Sequence, residues 1–152
     1  MANTQAVSVS FKADILNGKH AFGTSVVRAS TAADSFFGAL YLTSGSLGSA
    51  TTAYSATSEL TGTGYTAGGQ VITNATAPAT SGTTAYWTPS ANLTWTGLTS
   101  AGAFDTLLVY NNTAAGKNAV CVLTFGAQSL TAGTFTLSMP ANAAGTAMLN
   151  LA

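Results

Sequence analysis

The sequence predicts an all-β fold: a β-sandwich or jelly roll of about eight short strands with one short N-terminal helix. Three observations carry this. Apolar and β-branched residues fall in short runs bounded by Gly, Ser, Asn and Pro, the punctuation of strands and tight turns. Helical spacing occurs once, near the start, so no alternation of strands with long helices suggests a parallel α/β sheet. No period of 20–50 residues repeats, which sets aside propellers and solenoids.

The elements follow in order. Residues 1–10 are expected to form an N-terminal arm extending across a partner, and residues 11–152 a single domain, because no charged linker or Pro-rich hinge divides them. Phe11, Ile15 and Leu16 share one helical face, with Ser10 placed to cap the helix and Gly18 to end it. Phe36 to Thr43 is nearly all apolar, as suits a strand buried on both faces. Gln70 to Ala75 forms a shorter strand, entered from the glycine-rich loop Gly62 to Gly69. Ala85–Thr88 and Leu93–Thr96 flank a turn on Pro89, Ser90, Ala91 and Asn92. Ala103 to Tyr110 and Ala119 to Phe125 make a hairpin with a polar tip. Thr134 to Met139 alternates hydroxyl with large apolar residues, and Ala147 to Leu151 gives the last strand. Threonine suits all of these, because its branched carbon favours a strand while its hydroxyl tolerates water.

Only 5% of the 152 residues are charged, against about 25% in an ordinary soluble domain. Four Lys/Arg and four Asp/Glu cancel to a net charge of zero. Near-zero charge promotes association, so the surface reads as one made to be covered by other protein. Nucleic-acid binding is not expected, since it needs clustered cations, and Lys12, Lys19, Arg28 and Lys117 are scattered. No apolar run approaches the roughly 20 residues of a spanning helix. Residues 1–10 lack a basic head and an apolar stretch, so neither export nor a membrane barrel is expected. The sequons at Asn74, Asn92 and Asn111 carry little meaning without export.

Catalytic groups are scarce, and the chain is expected to be no enzyme and to need no cofactor or metal. His20 is the only histidine, which excludes His-pair metal sites and leaves a serine triad one possible base. No nucleophile elbow surrounds any serine; Ser44-Gly45-Ser46 is a superficial likeness. Asp14, Asp34, Glu59 and Asp105 stand apart in sequence rather than as a carboxylate pair; the first three read as helix decoration, a strand start and a residue before a turn. Gly62 to Gly69 lacks the Gly-Lys-Ser/Thr of a phosphate loop and leads into a strand, so its glycines serve a tight connection. Cys121 is the only cysteine, and its apolar neighbours make it a small buried hydrophobe.

Phe11 to Gly18 followed by His20-Ala21-Phe22, then Phe37 to Tyr41, Thr51 to Tyr54, Glu59 to Gly69, Leu108 to Asn111 and Val120 to Phe125 together resemble a family of small tailed-bacteriophage virion proteins. Thr51 to Gly69 is the most specific part, and residues 24–33 depart from the pattern. The resemblance implies a capsid decoration (cement) protein of podovirus-like phages, a jelly-roll-like sandwich that oligomerises on the outside of the capsid. The partners it implies are the major capsid protein and further copies of the chain, as dimer or trimer. The chain would be made in the host cytoplasm and reside on the virion. A tail or fibre component and a carbohydrate-binding sandwich are the alternatives. Tyr54, Tyr65, Trp87 and Trp95 are the candidate interface residues, since large aromatics anchor interfaces. Packing in the core and a sugar-binding face are the competing roles for them.

Overall fold

In a computed structural model of the chain, residues 2–8, 11, 15, 19–22, 34–73, 78–82 and 84–151 are described. Eleven strands are described: β1 (Ala6–Val7), β2 (Phe36–Leu42), β3 (Gly62–Thr63), β4 (Gln70–Ile72), β5 (Ala79–Ser81), β6 (Thr84–Trp87), β7 (Leu93–Ser100), β8 (Phe104–Asn111), β9 (Ala119–Gln128), β10 (Gly133–Leu137) and β11 (Leu149–Leu151). The eight expected strands are present; β1, β3 and β5 are additional, each two or three residues long. Elements that short carry too few residues for a periodic pattern to register. Phe11 and Ile15 are helical, while Ser10, Leu16 and Gly18 lie outside the described residues, as does Ala75.

Every strand pairing is antiparallel. One five-stranded sheet runs β1-β9-β8-β2-β4, and two three-stranded sheets run β10-β7-β3 and β11-β6-β5. The predicted hairpin is the centre of the large sheet, with Leu107 opposite Leu123 and Leu108 opposite Val122. The turn at Pro89 does not close a hairpin. β6 leaves it to pair with β11 and β5, whereas β7 pairs with β10 and β3, so the turn carries the chain between sheets.

Period-two alternation gives the large sheet two faces. Phe36, Leu40, Leu107, Val109 and Cys121 point into the main core, where they meet Trp87 and Leu149 from one small sheet and Leu93, Trp95 and Leu98 from the other. The small sheets thus share one core with the inner face of the large sheet, the all-β sandwich arrangement. Rings lock it: Phe22 stacks on Phe36 with centroids 4.8 Å apart, and Phe104 meets Phe135 edge-on at 5.1 Å. Each large side chain buried here contributes roughly 1.5–3 kcal/mol. Gly38 lies where a Cβ would press on Leu93 and Leu107, so the strand keeps a glycine to let the layers approach.

The outer face of the large sheet carries Ala39, Tyr41, Leu108, Tyr110, Ala119 and Val122, covered in part by Leu47 and Tyr54 from the long β2–β3 connection. That connection is strapped to the edge of β2 by Leu60 N–H to Leu40 O (2.8 Å) and Leu42 N–H to Ser58 O (2.9 Å). The N-terminal segment is also tied down. Asn3 donates to Leu42 O and Asp105 and accepts from Leu47 N–H, β1 pairs with β9, and buried Ser8 donates to Thr51 O at 2.7 Å. Residues 3–8 are therefore bonded to their own domain.

Candidate functional site

In a chain with eight charged residues, the position of each carboxylate is informative. Glu59 is only 6% exposed, and it sits where the connection bridges the edge of β2, antiparallel and opposite Tyr41. Its Oε2 accepts the Tyr54 hydroxyl at 2.6 Å, and its Oε1 accepts the Tyr65 hydroxyl at 2.7 Å and the Gly68 N–H at 2.6 Å. Charge-assisted bonds of this length are about twice as strong as neutral ones. The Tyr65 hydroxyl oxygen also accepts Leu40 N–H, the Tyr110 hydroxyl donates to Gly68 O, and the Tyr41 hydroxyl donates to Ser55 O. One carboxylate and four phenols thus join the connection, the glycine loop and the central strands.

The electrostatics follow from burial. All four phenols are pushed above their ordinary range, chiefly because burial penalises the phenolate. For Tyr54 and Tyr65 the hydrogen bond to Glu59 pushes further in the same direction, because it favours the protonated donor. They remain neutral donors at any physiological pH, and the Glu59 carboxylate is satisfied by two of them, Tyr54 and Tyr65, and a backbone amide. Such an arrangement binds and holds.

Two of the three non-glycine residues with positive φ flank this cluster, Ser58 (60°) beside Glu59 and Lys117 (45°) beside Tyr54. Strain of this kind persists where surrounding bonds over-determine the chain. Tyr54 N–H donates to Lys117 O at 3.0 Å, and the Lys117 ammonium sits 5.0 Å from the Tyr54 ring centroid. Gly68 and Gly69 adopt φ of 89° and 79°, and a Cβ on Gly69 would strike the Gly38 carbonyl. The glycine loop is a tight connection, as its sequence implies, and it also supplies an amide to Glu59.

Fully buried Asn111 forms a second polar hub. Its Nδ2 donates to Asp34 Oδ2 (2.8 Å) and Lys19 O (3.1 Å) and lies 3.3 Å from His20 Nδ1. Its Oδ1 accepts Thr113 and Ala114 N–H groups, and Asp34 also accepts Ala21 N–H. Asp34 precedes β2 as expected, but at 8% exposure it anchors residues 19–21 as well. His20 lies among Phe11, Phe22 and Phe36 beside this hub, not in an open loop.

The four candidate interface aromatics separate. Trp87 and Trp95, 2% and 1% exposed, belong to the main core, and Trp95 stacks on Phe135. Both rings point from the small sheets into the core shared with the large sheet, so these two positions take the core-packing role rather than that of interface anchors. Tyr54 and Tyr65 are half-buried and share Glu59. Cys121 is buried, as its apolar neighbours imply, and burial pushes its thiol up to about 12. Glu59 and Asn111 were not among the candidates. The signal for Glu59 is a tyrosine on either side, at 54 and 65, in a chain with few charges to spare.

Among the described residues no group of three metal-ligating side chains occurs, and no helix is long and apolar enough to cross a membrane. Comparison with family models, curated proteins and solved structures finds no match for the chain.

Proposed function

We propose that the chain is a non-enzymatic structural protein of a phage virion, a jelly-roll-like cement protein that coats the outer capsid surface and stabilises the head. The reading draws on the resemblance in residues 51–69 and on one observation of the molecule: the carboxylates among the described residues are engaged internally. Asp34 and Glu59 are buried, and Asp105 is held by Asn3 and Thr106. The exposed surface left behind is mostly Thr, Ser, Gly, Ala and Asn, with Lys19 and Lys117 as its exposed described charges. A surface so poor in charge loses little solvation when covered, and a permanent interface of 2,000–5,000 Å² or more becomes accessible to it. The major capsid protein and sister copies, as dimer or trimer, are the partners of this reading.

Particles assembled with and without the chain test it. The chain should be present at a copy number matching the capsid lattice, and heads lacking it should open at lower temperature and lower chelator concentration. Equal resistance of both particles defeats the reading. A few copies confined to the tail would replace it with a tail or fibre role.

A further inference from the structure

The six strands at the sheet edges are not alike. β1, β3, β4, β5 and β11 are two or three residues long, and shortness is one of the ordinary ways an edge is kept from pairing with another chain. β10 is five residues long, and its only strand partner among the described residues is β7. No hydrogen bond among the described residues reaches its backbone from the outer side. The usual guards are missing too: Ser129 to Met139 contains neither a charged residue nor a proline, and no strand of this sheet carries a charge. The bulge in the pairing spares β10. Two steps along it, from Gly133 to Phe135, match three along β7, from Leu98 to Trp95, so the extra residue belongs to β7, where Gly97 has a φ of 63°.

Thr134 and Thr136 are exposed on one face of β10, while Phe135 and Leu137 are half-buried against the main core on the other. The Thr136 hydroxyl already meets the Thr94 hydroxyl of β7 at 3.1 Å, a cross-strand pair that a further strand would repeat. An uncharged edge strand is complementary to itself. Turned about a two-fold axis, it presents the same donors and acceptors in antiparallel order, and such a contact closes without growing into a fibre. We propose that β10 pairs with β10 of a second copy about an axis at Phe135, joining two three-stranded sheets into one of six. Phe135 is the middle residue, so this register pairs the whole strand and sets Thr134 of one copy opposite Thr136 of the other. The inference rests on the sister-copy part of the proposed reading; it selects the dimer and names the strand that makes it.

Sedimentation equilibrium of the purified chain reads this contact without any capsid, and the parent should be a dimer. Thr134→Lys combined with Thr136→Lys sets like charges opposite each other twice and should weaken the dimer about tenfold. Thr134→Lys combined with Thr136→Glu changes the same two positions but sets opposite charges together, and should dimerise within a few-fold of the parent. Both positions are exposed, so loss in the first variant with recovery in the second reports the contact rather than misfolding. A monomeric parent overturns the inference, and is the result expected if a strand of another protein covers this edge. A Lys/Lys variant that dimerises like the parent, or a Lys/Glu variant as weak as the Lys/Lys one, also overturns it. Chain that dimerises but never coats heads would defeat the capsid reading and leave this contact standing, whereas monomeric chain that coats heads defeats the contact alone.

Discussion

Glu59 serves three donors with two oxygens, and substitutions there separate charge from hydrogen bonding. In Glu59→Gln, Oε1 can still accept from Tyr65 and Gly68 while the amide donates to Tyr54, so the bonds weaken but remain. About 1–2 kcal/mol of stability should be lost. Glu59→Leu leaves the Tyr54 and Tyr65 hydroxyls and the Gly68 amide without their acceptor, and about 3–5 kcal/mol should go. Urea denaturation of both variants measures this; a Leu variant as stable as the parent would show that the cluster does not clamp the connection. Cys121 adds a pH dependence. Its thiol ionises near 9 when unfolded and near 12 when folded, so its contribution is complete below pH 9 and declines as pH rises toward 12. The four tyrosines, all raised, act with the same sign. Midpoints followed from pH 8 to 11 should fall, and Cys121→Ala should flatten part of the slope. A flat profile would contradict the burial of these groups.

At the scale of elements, backbone geometry decides what the glycine loop tolerates. Gly69 and Gly82 both have positive φ, but a Cβ at Gly69 meets the Gly38 backbone whereas at Gly82 nothing lies within 4 Å. Gly82→Ala should cost about 1–2 kcal/mol, the usual left-handed penalty. Gly69→Ala adds a backbone collision and should cost at least twice as much; equal melting temperatures would refute the close approach of loop and β2. The strands of four or more residues were legible because their alternation runs long enough to be read along the chain. β1 and β3 were not, since two residues define no period and their pairing depends on Cys121 and Val122 or on Thr99 and Ser100 far along the sequence. The Pro89 turn was legible, but not the sheets it connects: turn chemistry sets a local reversal, not the sheet that each flanking strand joins.

At the scale of the molecule, the scarcity of charge is stronger on the folded surface than in the composition, because two of the four acids are buried. Attachment through such a surface should be nearly indifferent to salt, since screening acts on exposed charges. Heads incubated between 0.1 and 1 M NaCl should keep most of the chain; wholesale release would point to an electrostatic attachment instead.

The sequence by itself determined the all-β class, eight of the eleven described strands, the tight glycine connection and the poverty of charge, because composition and short apolar runs between turn residues are written along the chain. Only the tertiary structure decided which aromatics are buried. Trp87, Trp95, Tyr54 and Tyr65 are chemically alike in sequence, and their exposure depends on which sheet covers them. It also decided the polar hubs. Asn111 meets Asp34 across 77 positions, a distance that no local pattern spans. Tyr54 and Tyr65 stand only five and six residues from Glu59, yet at neither helical nor strand spacing, so the fold of the connection had to bring them to one carboxylate.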